Sequence, residues 1–141
     1  MTELADGPEH SRARAVNAPG LAPPVGFAHA VVAGSTIYLG GQTAQAKDGS
    51  IQGDTMAEQF DHATANLLAA LEAAGGEPGD LVTLQVFVTD VEEYRASLLE
   101  LGRIWLRHFG KHYPAMGLFG ITRLFDDAAK VELMGVAKLL S

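Results

Sequence analysis

The sequence predicts an α+β domain, with one mixed sheet and two helices packed on the same face of it. Three observations carry this. Apolar residues alternate with period two in short runs near 27–39, 81–88 and 131–138, as in strands. Two longer runs between them repeat their apolar residues at helical spacing and begin with capping residues. The order is strand, strand, helix, strand, helix, strand, strand. Each helix therefore bridges two strands, and right-handed crossovers place both helices on one side.

Residues 1–25 hold Gly7, Pro8, Pro19, Gly20, Pro23 and Pro24 with little apolar periodicity, which predicts an irregular arm before a single domain over 26–141. Arg12 and Arg14 in the arm read as solvated charge rather than as contacts to an acidic partner. A strand over 27–32, a turn at 33–36 and a strand from Ile37 form a hairpin ending in Gly40-Gly41-Gln42. Paired glycines at a strand end make a bulge or let another group approach the backbone closely, and a bare N–H there could hold an anion. Thr55 and Glu58 have capping-box spacing, and Met56, Phe60, Ala63, Leu67 and Leu71 follow as a core stripe up to Gly75-Gly76. His62 falls on the helix surface.

In the strand 81–88, Val82, Leu84, Val86 and Val88 share one face and Thr83, Gln85 and Phe87 the other. Asp90, with Glu93 three residues on, starts a second helix whose stripe is Tyr94, Leu98, Leu101 and Trp105 and which ends near Gly110. Two final strands, 113–121 and 130–136, separated by a polar break at Asp126-Asp127, read as sheet neighbours. The last places Val131, Leu133, Gly135 and Ala137 on one face, and Glu132, Met134, Val136 and Lys138 on the other.

Glu132 is a carboxylate in an apolar strand. It needs solvent or a partner, because burying an unpaired charge is very costly. Either it forms an ion pair with Lys130 or Lys138, or it serves chemistry. Its face also carries Phe87 and part of 116–121, too apolar a surface to lie in water, and the chain has no spare element to cover it. Another copy of the chain is expected to do so.

With 17 acidic and 10 basic residues the net charge is −7, which argues against nucleic acid as the main partner. There is no cysteine, hence no disulfide and no thiolate chemistry. No apolar run approaches the roughly 20 residues that span a bilayer, and the start of the chain has no signal-peptide pattern, so a cytoplasmic protein without membrane contact is expected. The five histidines show no ligand spacing on one element; His108 and His112 are separated by the helix stop at Gly110. No metal site is predicted.

Taken together, Gly40-Gly41-Gln42, Ala65-Asn66-Leu67, Glu72-Ala73-Ala74-Gly75, Val86-Phe87-Val88-Thr89-Asp90, Pro114-Ala115, Thr122-Arg123-Leu124 and Val131-Glu132-Leu133 resemble the RidA/YjgF family of reactive-intermediate deaminases, also called endoribonuclease L-PSP-like proteins. The resemblance runs from about Phe27 to Lys138. It implies a chorismate-mutase-like fold, a homotrimer with a central barrel of sheets, and small-molecule clefts between subunits. It also implies hydrolysis of enamine or imine intermediates to 2-oxo acids and ammonia, with no cofactor.

Residue by residue, Gly41 fits the family's turn and Glu132 its water-positioning glutamate. The arginine that clamps the substrate carboxylate is Met116 here, the first-strand tyrosine is Phe27, and a helix asparagine is Leu98. Methionine cannot form a charge-assisted pair with a carboxylate. Arg123 could take that part from elsewhere, though an ion pair or a solvated turn is its expected role.

Two readings stay open. One is an imine hydrolase with Glu132 as the catalytic group and Phe27, Gly41, Leu98, Tyr113, Met116 and Phe119 around the ligand. The alternative is a noncatalytic trimer holding an apolar small molecule between subunits. Ribonuclease activity, carried by the family's older naming, fits the acidic charge poorly.

Overall fold

A computed structural model describes residues 13–140. Its sheet has six strands: β1 (Arg14–Val16), β2 (Ala30–Ala33), β3 (Thr36–Gln42), β4 (Leu81–Val88), β5 (Ala115–Gly120) and β6 (Val131–Lys138). They lie in the order β1-β2-β3-β6-β4-β5. The β4–β5 pair is parallel and all others are antiparallel, so the sheet is mixed. Helices α1 (Met56–Ala73), α2 (Val91–Ala96) and α3 (Leu98–Phe109) complete the α+β fold.

α1 packs on β3 and β6, and α3 packs on α1. The core lies between, built from Leu84, Val86, Val131 and Leu133 of the sheet, Phe60, Leu67 and Leu71 of α1, and Leu101, Ile104 and Trp105 of α3. α1 begins as its sequence predicts. Thr55 Oγ1 accepts from the Glu58 amide at 3.1 Å, and the Glu58 carboxylate accepts from the Thr55 amide at 3.2 Å. Asp90 caps α2 by accepting from the Glu93 amide at 3.0 Å. Glu93 does not reach back. Its carboxylate accepts from the Met56 amide at 2.9 Å and pairs with Lys130 Nζ at 2.8 Å, tying the starts of α1, α2 and β6 together.

Five expectations need correction. Part of the irregular arm is a strand. β1 adds to β2 with Arg14 opposite Val32 and Val16 opposite Ala30, and a three-residue strand is too short to show a period. Arg12 and His10 lie outside the described residues. Phe27 stands before β2 and not within a strand.

The second helix is two. Ser97 Oγ donates to the Glu93 carbonyl at 2.8 Å and the Ser97 amide to Tyr94 at 3.0 Å, which tightens that turn and restarts the helix at Leu98. Leu98 is thereby turned outward and is 55% exposed, not part of the stripe.

The last two strands are not neighbours. β6 lies between β3 and β4, while β5 pairs only with β4, at the sheet edge. Alternation reports which face a side chain takes, not which strand sits beside it. A strand that buries Val131, Leu133 and Ala137 belongs in the centre; β5, exposed along most of its length, belongs at the rim.

Finally, the β4–β6 register shifts between Leu81 and Thr83. Leu81 takes the core position and Val82 turns outward. Gly135 is needed there, because a β-carbon would run into the Thr83 carbonyl.

The sheet face opposite the helices stays uncovered within the chain. Tyr38, Phe119 and Met134 are exposed on it, and Phe87 and Phe119 stack there with ring centroids 5.5 Å apart. No helix among the described residues is long and apolar enough to cross a membrane.

Candidate functional site

The β3–β6 pairing is regular from Thr36 to Leu39, then slips before Gln42 pairs with Leu133. The slip falls on Gly40 and Gly41. Gly40 donates its amide to the His29 carbonyl at 2.9 Å, back toward β2, and lies so close to the Ala28 carbonyl that a β-carbon would sit 2.8 Å from it. Gly41 serves a side chain. The Glu132 carboxylate rests against its bare Cα, in space that any β-carbon would occupy. Replacing Gly41 by alanine is expected to push that carboxylate out of place with little loss of stability, since the displaced group is the end of a flexible side chain. A crystal structure of the variant showing Glu132 unmoved would count against this.

Glu132 is half-buried. Lys130 is committed to Glu93, and among the described residues no cation or hydrogen-bond donor reaches the Glu132 carboxylate. Burial alone then acts on it and pushes its pKa above the ordinary glutamate value. Such a group keeps its proton to a higher pH than an exposed glutamate does, which suits it to acid–base work.

Glu132 opens into a cavity of about 790 Å³, lined also by Phe27, Gly41, Gln42, Phe125 and Asp126 and walled by Leu21, Ala22, Pro23 and Val25 of the arm. His29 holds that wall in place. Its Nδ1 accepts from the Ala18 amide at 3.0 Å, which leaves the proton on Nε2, 3.0 Å from the Ala22 carbonyl to which it donates. Two side chains of α1 secure the rest. Asn66 Nδ2 donates to the Thr43 and Gln45 carbonyls at 3.0 and 2.8 Å, just beyond β3. Gln59, 2% exposed, donates to Gly53 and Ala128 at 3.1 and 2.9 Å and accepts from the Lys130 amide at 2.7 Å, two residues before Glu132.

The residues expected around one ligand are divided. Phe27, Gly41 and Glu132 share the cavity. Leu98, Tyr113 and Met116 line a second depression, about 510 Å³, beside α3 and the rim strand β5, with Tyr94, Arg103 and Trp105. Phe119 lies in neither; it stacks on Phe87. Arg123 pairs with Asp127 on the surface and lines neither pocket.

Sequence reasoning missed Gln42, Phe125, Asp126 and the arm as parts of the site. Gln42 had a signal, its place directly after the paired glycines; the others sit in loops, which carry no period. Among the described residues no group of three metal-ligating side chains gathers.

Comparison with known proteins bears on the family and the fold. The family model described as Endoribonuclease L-PSP matches residues 17–139. A RutC family protein of Pyrococcus horikoshii is 27% identical over 116 residues, 81% of this chain and 88% of that protein. A human protein named 2-iminobutanoate/2-iminopropanoate deaminase is 26% identical over 121 residues, 85% of this chain and 83% of that one. A crystal structure from Mycobacterium tuberculosis, described as a member of the YjgF/YER057c/UK114 family, superposes with a TM-score of 0.73 at 26% identity, covering 91% of this chain and all of that one. With the match spanning nearly the whole described fold, the bulge at Gly41 and the glutamate that faces it, this chain belongs to the endoribonuclease L-PSP family, the RidA/YjgF proteins.

Proposed function

We propose that this protein is a cytoplasmic homotrimer that hydrolyses imines and enamines to oxo compounds and ammonia, at clefts between its subunits. The observation that carries the reading is the Glu132 carboxylate, half-buried, unpaired among the described residues and lodged against Gly41 inside a cavity.

The chemistry needs one proton-exchanging group and no cofactor, because protonation alone makes a C=N carbon electrophilic. Protonated Glu132 gives its proton to the imine nitrogen. The resulting carboxylate takes a proton from water as the water oxygen bonds to carbon, which yields a carbinolamine. Glu132 then protonates the amine nitrogen, the C–N bond breaks with its electron pair leaving on ammonia, and the hydroxyl proton returns to Glu132. The sum is imine plus water giving oxo compound plus ammonia. The name of the human relative, an iminobutanoate and iminopropanoate deaminase, supports this reaction class.

Two features support the trimer. The uncovered sheet face with Tyr38, Phe119 and Met134 needs a neighbour. The second depression, with Leu98, Tyr113 and Met116, is half of a pocket without a reacting group, while the Glu132 cavity is open. Docking one against the next would close both. In sedimentation at micromolar concentration we expect three times the 14.9 kDa chain mass; a particle of one chain mass would overturn the shared cleft.

The activity is tested by ammonia release from imines generated by an amino-acid oxidase. A rate above that without the protein is expected. A rate no better than the uncatalysed one, for both aliphatic and aromatic imines, would sink the hydrolase reading.

A further inference from the structure

The polar groups of the Glu132 cavity also indicate the charge of what it holds. Among the described residues, two carboxylates, Glu132 and Asp126, line it, and no lysine or arginine does. His29, which also lines it, spends both ring nitrogens on the backbone.

A third group calls for an occupant. Gln42 lines the cavity and is only 7% exposed, yet its side-chain amide has no hydrogen-bond partner among the described residues. A buried amide left unsatisfied is costly, and native structures rarely tolerate one without a role for it. Phe27 and Phe125, both well exposed, border the same space, and their ring faces attract positive charge. An anion entering here would meet two like charges in a partly desolvated space. A cation would meet their complement.

Resting on the hydrolase reading, we propose that the site holds a nitrogen cation that bears no carboxylate: the iminium formed when Glu132 protonates a bound imine, or the ammonium that mimics it, on an apolar substituent. Gln42 Oε1 accepts from its N–H, Asp126 and Glu132 balance its charge, and the phenyl rings cover its apolar part. The second depression adds apolar surface through Met116, Leu98 and Tyr113, and one exposed cation, Arg103. Arg103 defines the competing outcome, since it would favour a carboxylate if it dominated the closed cleft.

The test is calorimetric titration of the full-length protein with benzylammonium and with benzoate, at about pH 8 where the amine stays protonated. We expect benzylammonium to bind at least about tenfold more tightly than benzoate. Gln42→Leu and Asp126→Asn should each weaken it about fivefold or more without lowering the melting temperature, because the Gln42 amide has no partner among the described residues and asparagine keeps the Oδ1 that accepts from the Ala128 amide. Benzoate binding equally or more tightly, with the preference lost in Arg103→Gln, overturns the proposal. So does the absence of binding by either compound, or unchanged benzylammonium affinity in Gln42→Leu. The ammonia assay separates this from the parent reading. A protein that hydrolyses carboxylate-bearing imines fastest keeps the function and loses this inference. One that binds benzylammonium but turns over no imine keeps the charge preference and loses the function.

Discussion

Glu132→Gln should abolish most imine hydrolysis while making the protein more stable at neutral pH. A positioned acid–base group contributes about 10²–10⁴-fold to rate. Glutamine keeps the size and the contact with Gly41 but cannot pass a proton, so kcat should fall by about 10²-fold or more. The stability effect has the opposite sign for a physical reason. Burial raises the Glu132 pKa in the folded state above its reference of 4.5, so ionised Glu132 weakens the fold. That penalty is absent below pH 4.5, where the carboxyl is neutral folded and unfolded, and is complete once the pH exceeds the raised folded value. Glutamine carries no such penalty. Its melting temperature should therefore exceed that of the parent at pH 7 and converge with it in acid. Steady-state kinetics and melts from pH 4 to 8 check both. Retained activity, or a variant less stable at pH 7, would contradict the role given to this side chain. In the parent, the first proton transfer needs protonated Glu132, so kcat/KM should decline as pH rises through its raised pKa.

The largest stability loss is expected at Gln59→Leu. Leucine fills the same space but leaves the Gly53 and Ala128 carbonyls and the Lys130 amide without the partner they have at 2.7–3.1 Å. A buried polar group left unsatisfied costs about 1–3 kcal/mol. Three groups, partly relieved by water, give a destabilisation of about 3 kcal/mol or more. For a domain of this size that corresponds to a fall in melting temperature of about 10 °C. Denaturant unfolding measures it directly, and a loss below about 1 kcal/mol would mean that water replaces the amide without penalty. The variant should also lose activity beyond its loss of stability, because Gln59 fixes Lys130 and so sets where β6 begins and where Glu132 stands. Gln59 reads in the sequence as one more polar residue on a helix. Only the fold reveals that it links the start of α1 to the loop before β6.

The sequence by itself determined most of the elements and the faces of the longest of them. Capping at Thr55 and Asp90, the stripe from Met56 to Leu71, the alternation of β6 and the stop at Gly110 follow from local rules of period and hydrogen bonding, and they act over a few residues. The same rules isolated Glu132 as a carboxylate on an apolar strand. The tertiary structure alone decided which strands are neighbours, that β6 lies between β3 and β4, and that Ser97 splits a helix. It alone placed Glu132 on Gly41, 91 positions apart in the chain, and separated Met116 and Leu98 from them. The reason is physical. A repeat says which way a side chain points relative to its own backbone, whereas a site depends on which backbones meet, and that is settled by burying one core from distant segments at once.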